Sequence, residues 1–176
     1  MRERDRQQRF GDLLDGHRRI VFKVASVYAR GEEDRSDLAQ EIALQAWRSF
    51  ASYDESKAKF STWLYRIALN VAISHLRRSR GRHVTEPLSA VHLETIGGGE
   101  SIAEPDERIE ALRRFIGELD PLNRALILLY LEDRSYAEIA DILGITQTNV
   151  ATKIGRIKQI LRGQAREARE FIGTGG

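Results

Sequence analysis

An acidic stretch near the middle of this 176-residue chain constrains its fold more than any other feature. Residues 86–110 contain seven acidic side chains and one basic side chain, together with two of the three prolines and three consecutive glycines at 97–99. The stretch has little helical periodicity, and its composition is typical of a flexible linker. We therefore predict two small domains, at residues 1–85 and 109–176, joined by an acidic flexible linker at residues 86–108.

Hydrophobic residues on both sides of the linker recur at the spacing of α-helices, and no segment alternates with the two-residue period of a strand. The sequence therefore predicts an all-α protein. In the first domain we expect about four helices, the third capped by Asp34 or Ser36 and the fourth running from a cap at Ser61 to about Arg78. In the second domain we expect four helices, with approximate bounds 109–119, 122–131, 136–143 and 147–166.

Several classes of chemistry are disfavoured by residues that the chain lacks. It has no cysteine, so disulfides, thiolate metal sites and cysteine nucleophiles are excluded. The glycines at 97–99 do not form a phosphate-binding loop, since no lysine lies between Lys59 and Lys153. The four histidines lack the spacing of a zinc site, and we interpret them as structural residues: His17, His75, His83 and His92. We predict a protein that is not an enzyme and needs no metal or cofactor.

The sequence shows no targeting or membrane segment. Its amino terminus is too charged for the apolar part of a signal peptide, and no later segment approaches the roughly 20 apolar residues of a membrane span. We therefore expect a cytoplasmic protein without membrane insertion.

The second domain contains a pattern typical of a helix-turn-helix, between residues 135 and 158. Its first helix packs through Ile139, Ala140 and Leu143, and Gly144 is suited to a left-handed turn. Ile145 then fills the corner, and Thr146 caps the second helix. The pattern predicts a short helix, a tight turn and a second helix.

The second of these helices has two different faces. Its inward face consists of Val150, Ile154, Ile157 and Leu161, and its outward face consists of Thr148, Thr152, Arg156 and Gln159. Residues 142–166 carry five basic side chains and no acidic one, which favours contact with DNA phosphates. The alternative is an ordinary antiparallel helix pair with a solvated basic face.

The long helix of the first domain also has two faces. We predict a buried stripe of Leu64, Ile67, Ala68 and Val71, and an opposite stripe of Trp63, Arg66, Asn70, Ile73 and Arg77. Residues 56–85 carry seven basic side chains and no acidic one. An aromatic ring and a carboxamide among arginines suit single-stranded nucleic acid, but Trp63 is equally suited to closing the core.

The preceding helix places a leucine in a charged face. We expect Ala39, Ala43, Trp47 and Phe50 to pack inward, while Asp37, Glu41, Gln45 and Arg48 surround Leu44 on the outside. Such a leucine indicates either a protein contact or a partly buried residue at a helix boundary, and the pattern leaves both readings open.

Two separate motifs resemble one known family. Residues 37–50, residues 60–70 and the pair Arg77-Arg78 resemble region 2 of the extracytoplasmic-function sigma factors of bacterial RNA polymerase. Residues 119–124 and the helix-turn-helix resemble region 4 of the same family. The resemblance covers nearly the whole chain outside the linker, in the family's order and spacing.

The resemblance implies an alternative sigma factor that binds core RNA polymerase and directs promoter recognition, melting and transcription initiation. In this family the helix matching residues 37–50 contacts the clamp coiled coil of the beta-prime subunit. The residues that this implies for core binding are Asp37, Gln40, Glu41, Leu44, Gln45 and Arg48. The linker of such factors threads the polymerase interior toward the RNA exit path.

The resemblance also implies two contacts with promoter DNA. The residues implied for the melted minus-ten element are Tyr53, Lys59, Phe60, Ser61, Trp63, Arg66, Asn70, Arg77 and Arg78. Region 4 reads the minus-thirty-five element in duplex DNA and lies on the beta flap. The residues implied there are Gln147, Thr148, Asn149, Thr152, Lys153 and Arg156. The family further raises an anti-sigma factor as a candidate partner.

The chain departs from the family pattern at a few positions. Ser36 stands where the family often has an acidic residue, which raises phosphorylation of Ser36 as a hypothesis. Ala151 and Gly155 replace larger residues, so promoter preference is not inherited. Asp120 replaces a residue that is commonly leucine, and we expect this change to be neutral. The rival functions are a helix-turn-helix regulator that works without polymerase and a polymerase-binding regulator that never melts promoters.

Overall fold

The computed structural model describes residues 2–80 and 107–173 of the chain. Within these ranges the backbone forms eight α-helices and one short 3-10 turn, with no strand, as the sequence predicts. The predicted linker lies outside the described residues except for its last two positions, which begin a helix. The contacts divide the chain into two compact units, one ending at Gly117 and the other beginning at Glu118.

The first unit contains the predicted four-helix bundle. Its helices are α1 (Glu3–Gly16), α2 (Arg18–Tyr28), α3 (Glu32–Ser49) and α4 (Phe60–Arg80), with the 3-10 turn Phe50–Ser52 directly after α3. A fifth helix, α5 (Glu107–Glu118), ends at the division between the units. The helices α2, α3 and α4 all pack on one another, so each must bury a wide face.

The buried faces of α3 and α4 differ from those expected. On α3 the core side chains are Leu38, Ile42 and Ala46, whereas Ala39, Ala43 and Trp47 are only half-buried; Phe50 is buried as expected. On α4 Leu64 and Ala68 are buried as expected, but Ile67 and Val71 are half-buried, and the rest of the core stripe is Tyr65, Leu69, Ala72 and Leu76. Both helices pack against two neighbours at once, which decides where the centre of each buried stripe falls.

The expected caps of α3 and α4 are wrong. Helix α3 begins after Gly31, which adopts a positive φ of 79°, and Asp34 lies inside its first turn. The Asp34 carboxylate accepts a hydrogen bond from the backbone N–H of Arg30 at 3.1 Å, where the helix dipole favours a negative charge. Ser36 lies two residues further on and is exposed. In α4, Ser61 is the second helical residue rather than the cap.

The second unit consists of α6 (Pro121–Leu131), α7 (Tyr136–Leu143) and α8 (Gln147–Gly173), which pack on one another. Helix α8 is longer than expected. Asp120 is not neutral, because it caps α6: its Oδ1 accepts from the backbone N–H of Asn123 at 2.8 Å, and its Oδ2 accepts from the Asn123 side chain at 3.0 Å. Pro121 follows at the first helical position, where its missing N–H costs nothing.

Candidate protein and nucleic-acid interfaces

The outward face of α3 is polar around a single exposed leucine. Leu44 is 48% exposed, and four of its neighbours on this face, Asp37, Gln40, Gln45 and Arg48, are exposed as well. The remaining member, Glu41, is half-buried. The six residues that the resemblance assigns to polymerase binding therefore lie on one accessible surface, which we call the outward face of α3.

A charged cluster joins α3 to α4. The Nε2 atom of His75 lies 2.9 Å from Oδ1 of Asp34, and its Nδ1 atom lies 3.6 Å from Oε2 of Glu41. Arg78 also contacts Glu41, its Nη2 donating to Oε1 at 2.8 Å. The His75 side chain is only 15% exposed, whereas the carboxylates of Asp34 and Glu41 are 38% and 41% exposed. The sequence predicts a structural role for His75 but not its partner, because Asp34 lies 41 residues away.

Six aromatic side chains form a cluster between α1, the end of α3 and the start of α4. Phe10 contacts Trp47 and Phe50, with ring centroids 5.3 and 5.1 Å apart. Trp63 contacts Tyr53 at 5.0 Å and Phe60 at 5.2 Å. We call this set, Phe10, Trp47, Phe50, Tyr53, Phe60 and Trp63, the aromatic cluster.

The sequence left open whether Trp63 closes the core or stacks on bases, and its place in the aromatic cluster is compatible with both. Its ring packs on neighbouring rings, as a core residue would, and yet it stays partly exposed, as a base-stacking residue must. Phe60 differs, because it is 5% exposed and has no free face for a base. Asn70 and Arg77 lie about two and about four helical turns beyond Trp63 in α4, and both are exposed.

The loop at residues 51–59 is held by its own hydrogen bonds. Asp54 Oδ1 accepts from the backbone N–H of Ser56 at 2.9 Å and from its hydroxyl at 2.6 Å. These bonds, the hydroxyl first, lower the pKa of the Asp54 carboxyl, because both stabilise its charged form. The Tyr53 hydroxyl donates to the carbonyl of Ala58 at 3.2 Å.

The pKa of Tyr53 depends on its burial and on the charges around the loop. Burial is the main cause that raises the pKa of its phenol, and the negative charge of Glu55 raises it further, whereas Arg9 opposes the rise. Tyr53 therefore remains a neutral hydrogen-bond donor at neutral pH. The other residues assigned to the minus-ten element are accessible: Lys59, Arg77 and Arg78 are exposed like Asn70, and Ser61 and Arg66 are half-buried.

The helix-turn-helix forms as the sequence predicts. Ser135 caps α7 by accepting from the backbone N–H of Glu138 at 3.1 Å, and Gly144 ends α7 with a φ of 69°. Thr146 caps α8 by accepting from the backbone N–H of Asn149 at 3.1 Å. Val150, Ile154 and Ile157 are buried, as expected for the inward face, whereas Leu161 and, on α7, Leu143 are only half-buried.

The outward side of α8 is open. The exposed residues there are Gln147, Thr148, Asn149, Thr152, Arg156 and Gln159, and Lys153 is half-buried. Gly155 is exposed, and a methyl group added to it would meet no atom within 4 Å. The chain thus presents a row of polar side chains with Arg156 as its large cation, as an element entering a DNA groove requires.

Two basic residues of the second unit have structural roles that sequence analysis missed. Arg124 is buried, and its Nε donates to the carbonyl of Leu119 at 3.0 Å. The ammonium of Lys158 lies 4.4 Å from the centre of the Tyr130 ring, which fixes α8 on α6. A lone arginine inside the apolar run 121–131 was the available signal for the first of these.

Across residues 2–80 and 107–173, no three His, Asp or Glu side chains converge to hold a metal ion. No helix within the same ranges is both long enough and apolar enough to cross a bilayer.

Comparison with known protein families defines the class of protein to which these surfaces belong. The Sigma-70 region 2 family matches residues 13–82, and the Sigma-70 region 4 family matches residues 109–161. The first match covers the aromatic cluster apart from Phe10 and the whole outward face of α3, and the second covers the helix-turn-helix. The fold and its surfaces are thus those of a sigma-70-type transcription factor.

Individual relatives narrow the assignment. The sigma-E factor of Escherichia coli K12 is 30% identical over 81% of each chain, and SigM of Bacillus subtilis is 32% identical over 81% of this chain and 86% of its own. SigW of B. subtilis is 28% identical over 92% of this chain and 91% of its own. The chain belongs to the ECF RNA polymerase sigma factors. It is an alternative sigma factor that directs transcription initiation, and a polymerase-independent regulator is not favoured.

Solved structures share the fold. CnrH in complex with the cytosolic domain of CnrY aligns with a TM-score of 0.66 and 24% identity, over 92% of this chain and 90% of its own. RpoE of Bartonella quintana, in complex with the anti-sigma factor NepR, aligns with a TM-score of 0.66 and 19% identity, over 92% of this chain and 97% of its own.

Proposed function

We propose that this sigma factor uses three separate surfaces for its three tasks, within domains at residues 1–85 and 109–176. The outward face of α3 binds the beta-prime clamp, the 51–59 loop with α4 binds the minus-ten element, and the start of α8 binds the minus-thirty-five element. The proposal rests on the environment of Trp63. Its ring packs on Tyr53 and Phe60, and part of the ring remains accessible.

For core binding, Leu44 is the central apolar contact. Leu44 is half exposed, so a partner that covers it removes apolar surface from water and gains binding free energy. The polar residues around it orient the partner at the rim of the contact. The surface comprises Asp37, Gln40, Glu41, Leu44, Gln45 and Arg48. Glu41 is the member that also holds His75 and Arg78, so it couples this face to α4.

For the minus-ten element, the rings and the cations have different tasks. Trp63 and Tyr53 offer faces for displaced bases, Asn70 offers both donor and acceptor groups, and the basic side chains hold phosphates. The direct contacts are Tyr53, Lys59, Ser61, Trp63, Arg66, Asn70, Arg77 and Arg78. Phe60 is buried, so we assign it the supporting role of holding Trp63 and Tyr53 in place.

For the minus-thirty-five element, the start of α8 enters the major groove of duplex DNA. Arg156 suits a guanine edge, because its guanidinium donates two parallel hydrogen bonds. The full surface is Gln147, Thr148, Asn149, Thr152, Lys153 and Arg156. Contact of this unit with the beta flap completes the docking on polymerase.

An anti-sigma factor is a further partner in this proposal, because two solved proteins of the same fold are complexes, one with the cytosolic domain of CnrY and one with NepR. The protein acts by binding and has no catalytic chemistry of its own. It works in the cytoplasm, where polymerase and promoters are found. Ser36 is exposed and thus open to a kinase, but it lies beyond the first helical turn, where a phosphate would gain most from the dipole.

Reconstitution of a holoenzyme tests the division into three surfaces. Sigma-free core polymerase is combined with the protein and with a promoter library randomised across both elements. Each surface is altered once, with Leu44→Asp, Asn70→Ala and Arg156→Ala. Core affinity should fail in Leu44→Asp alone. With core polymerase in excess, opening of duplex promoters should fail in Asn70→Ala, and sequence preference at minus thirty-five should fail in Arg156→Ala. Loss of all three activities together in every variant would contradict the proposal.

A further inference from the structure

Helix α1 braces the promoter-facing part of the first unit, although its first ten residues precede the region 2 match at residue 13. Phe10 is buried against Trp47 and Phe50 in the aromatic cluster. The guanidinium of Arg6 lies 5.1 Å from the centre of the Trp47 ring. Helix α1 is therefore fixed in position, and side chains along it are able to hold other segments.

One of these side chains contacts the 51–59 loop. Nη2 of Arg9 lies 2.7 Å from Oε2 of Glu55, and the two residues are 46 positions apart in the chain. Glu55 lies between Asp54 and Ser56, whose hydrogen bonds form the turn at the loop's tip. The ion pair therefore ties that turn to α1 from outside the loop.

The charges around Arg9 argue against a direct contact between Arg9 and DNA. A shallow hollow at this place is lined by Asp5, Gln8, Arg9, Asp12, Leu13 and Glu55. Three carboxylates surround one guanidinium there, so the local field repels phosphates. Gln8 adds no charge, and its amide already donates to Asp12 at 3.0 Å.

We propose that Arg9 is a positioning residue for minus-ten recognition, which acts by holding Glu55 and with it the conformation of the 51–59 loop. The inference rests on the proposed role of this loop and adds to it a determinant on α1. Loss of the ion pair would let the loop sample other conformations, and the contacts of Tyr53 with melted bases would become less selective. The side chains of Arg9 and Glu55 are 41% and 74% exposed. The effect of breaking their ion pair on minus-ten recognition is therefore modest and salt-dependent.

The test compares base preferences in a reconstituted holoenzyme. A promoter library randomised across both elements is transcribed, and the transcripts are sequenced. We expect Arg9→Gln and Glu55→Gln each to lower discrimination at minus-ten positions by about two- to five-fold at low salt. Preferences at minus thirty-five and core affinity should not change. The charge-reversed pair Arg9→Glu with Glu55→Arg should restore discrimination, and Arg4→Gln, on the same helix, is the matched control.

Three other outcomes of this experiment would contradict the inference. Unchanged minus-ten preferences in both single variants would show that the ion pair does not position the loop. An equal loss at both promoter elements would indicate general destabilisation, and failure of the reversed pair to restore preference would assign Arg9 or Glu55 to DNA itself. Tyr53→Ala separates the two proposals: if it leaves minus-ten preferences unchanged, the proposed role of the loop fails as well.

Discussion

Arg78 on α4 donates a hydrogen bond to Glu41 on α3, with 2.8 Å between Nη2 and Oε1. One residue belongs to the surface proposed for promoter DNA and the other to the surface proposed for polymerase. His75 lies between the same two helices, with Asp34 at 2.9 Å and Glu41 at 3.6 Å. Helices α3 and α4 are therefore joined by polar side-chain contacts as well as by the apolar core.

The first prediction concerns this charged cluster. Replacing His75→Ala should destabilise the first unit by about 1 to 2 kcal/mol, because it removes a largely buried ring together with its contacts to Asp34 and Glu41. Urea unfolding followed by tryptophan fluorescence measures this effect, since Trp47 and Trp63 both lie in the first unit. Arg78→Gln is the control, and it should cost less than about 1 kcal/mol because its ion pair is more exposed. Equal losses in the two variants would contradict the role of His75.

The second prediction concerns core binding. Leu44→Asp should weaken binding to core polymerase by about ten-fold or more, because it places a charge at the centre of an apolar contact. Helical content should not change, since Leu44 is half exposed in the free protein. A competition assay with labelled core polymerase measures the affinity. Phe22→Asp, which changes a similarly exposed side chain on α2, should bind as the unaltered protein does.

The third prediction separates base contacts from phosphate contacts on α4. Asn70→Ala should form closed complexes but open duplex promoters more slowly, and a promoter melted in advance should remove the defect. Arg77→Ala should instead lose affinity on both templates, with a shallower dependence on salt because one phosphate contact is gone. Kinetics of open-complex formation on the two templates measures both effects. Equal defects of Asn70→Ala on the two templates would exclude a role in melting.

The fourth prediction concerns promoter reading by α8. Arg156→Ala should cost about 1 to 3 kcal/mol of binding at the minus-thirty-five element, and the loss should depend on the base that Arg156 contacts. Binding to a panel of single-base variants measures this dependence. Arg162→Ala removes the same charge further along α8 and should not change base preference. A uniform loss across all sequences would place Arg156 on a phosphate and assign base reading to Thr148 and Thr152.

The fifth prediction concerns the turn in the 51–59 loop. The pKa of Asp54 lies below its ordinary value of 3.8, so the hydrogen bonds from Ser56 stabilise the folded loop at neutral pH, and this contribution is lost as the pH falls through the lowered pKa. Ser56→Ala should raise the pKa of Asp54 toward that ordinary value. NMR titration of the carboxyl carbon measures the change. Ser52→Ala, whose hydroxyl donates to Ser49 instead, should leave the titration unaltered.

The sequence by itself determined several local features of the second unit, although the caps expected for α3 and α4 were wrong. The cap Thr146 and the left-handed Gly144 were predictable, because each bonds to or turns a residue a few positions away. The two-domain organisation and the all-α class followed from helical periodicity and from the composition of residues 86–110. The family was evident for the same reason, since its motifs are runs of neighbouring residues.

Only the tertiary structure decided which helix faces are buried and which distant residues meet. Periodicity shows that Leu38 and Ile42 share a face of α3, but which face is covered depends on the helices packed against it. The contacts between Asp34 and His75 and between Arg9 and Glu55 join residues 41 and 46 positions apart. No spacing rule relates such residues, because the path of the intervening chain brings them together.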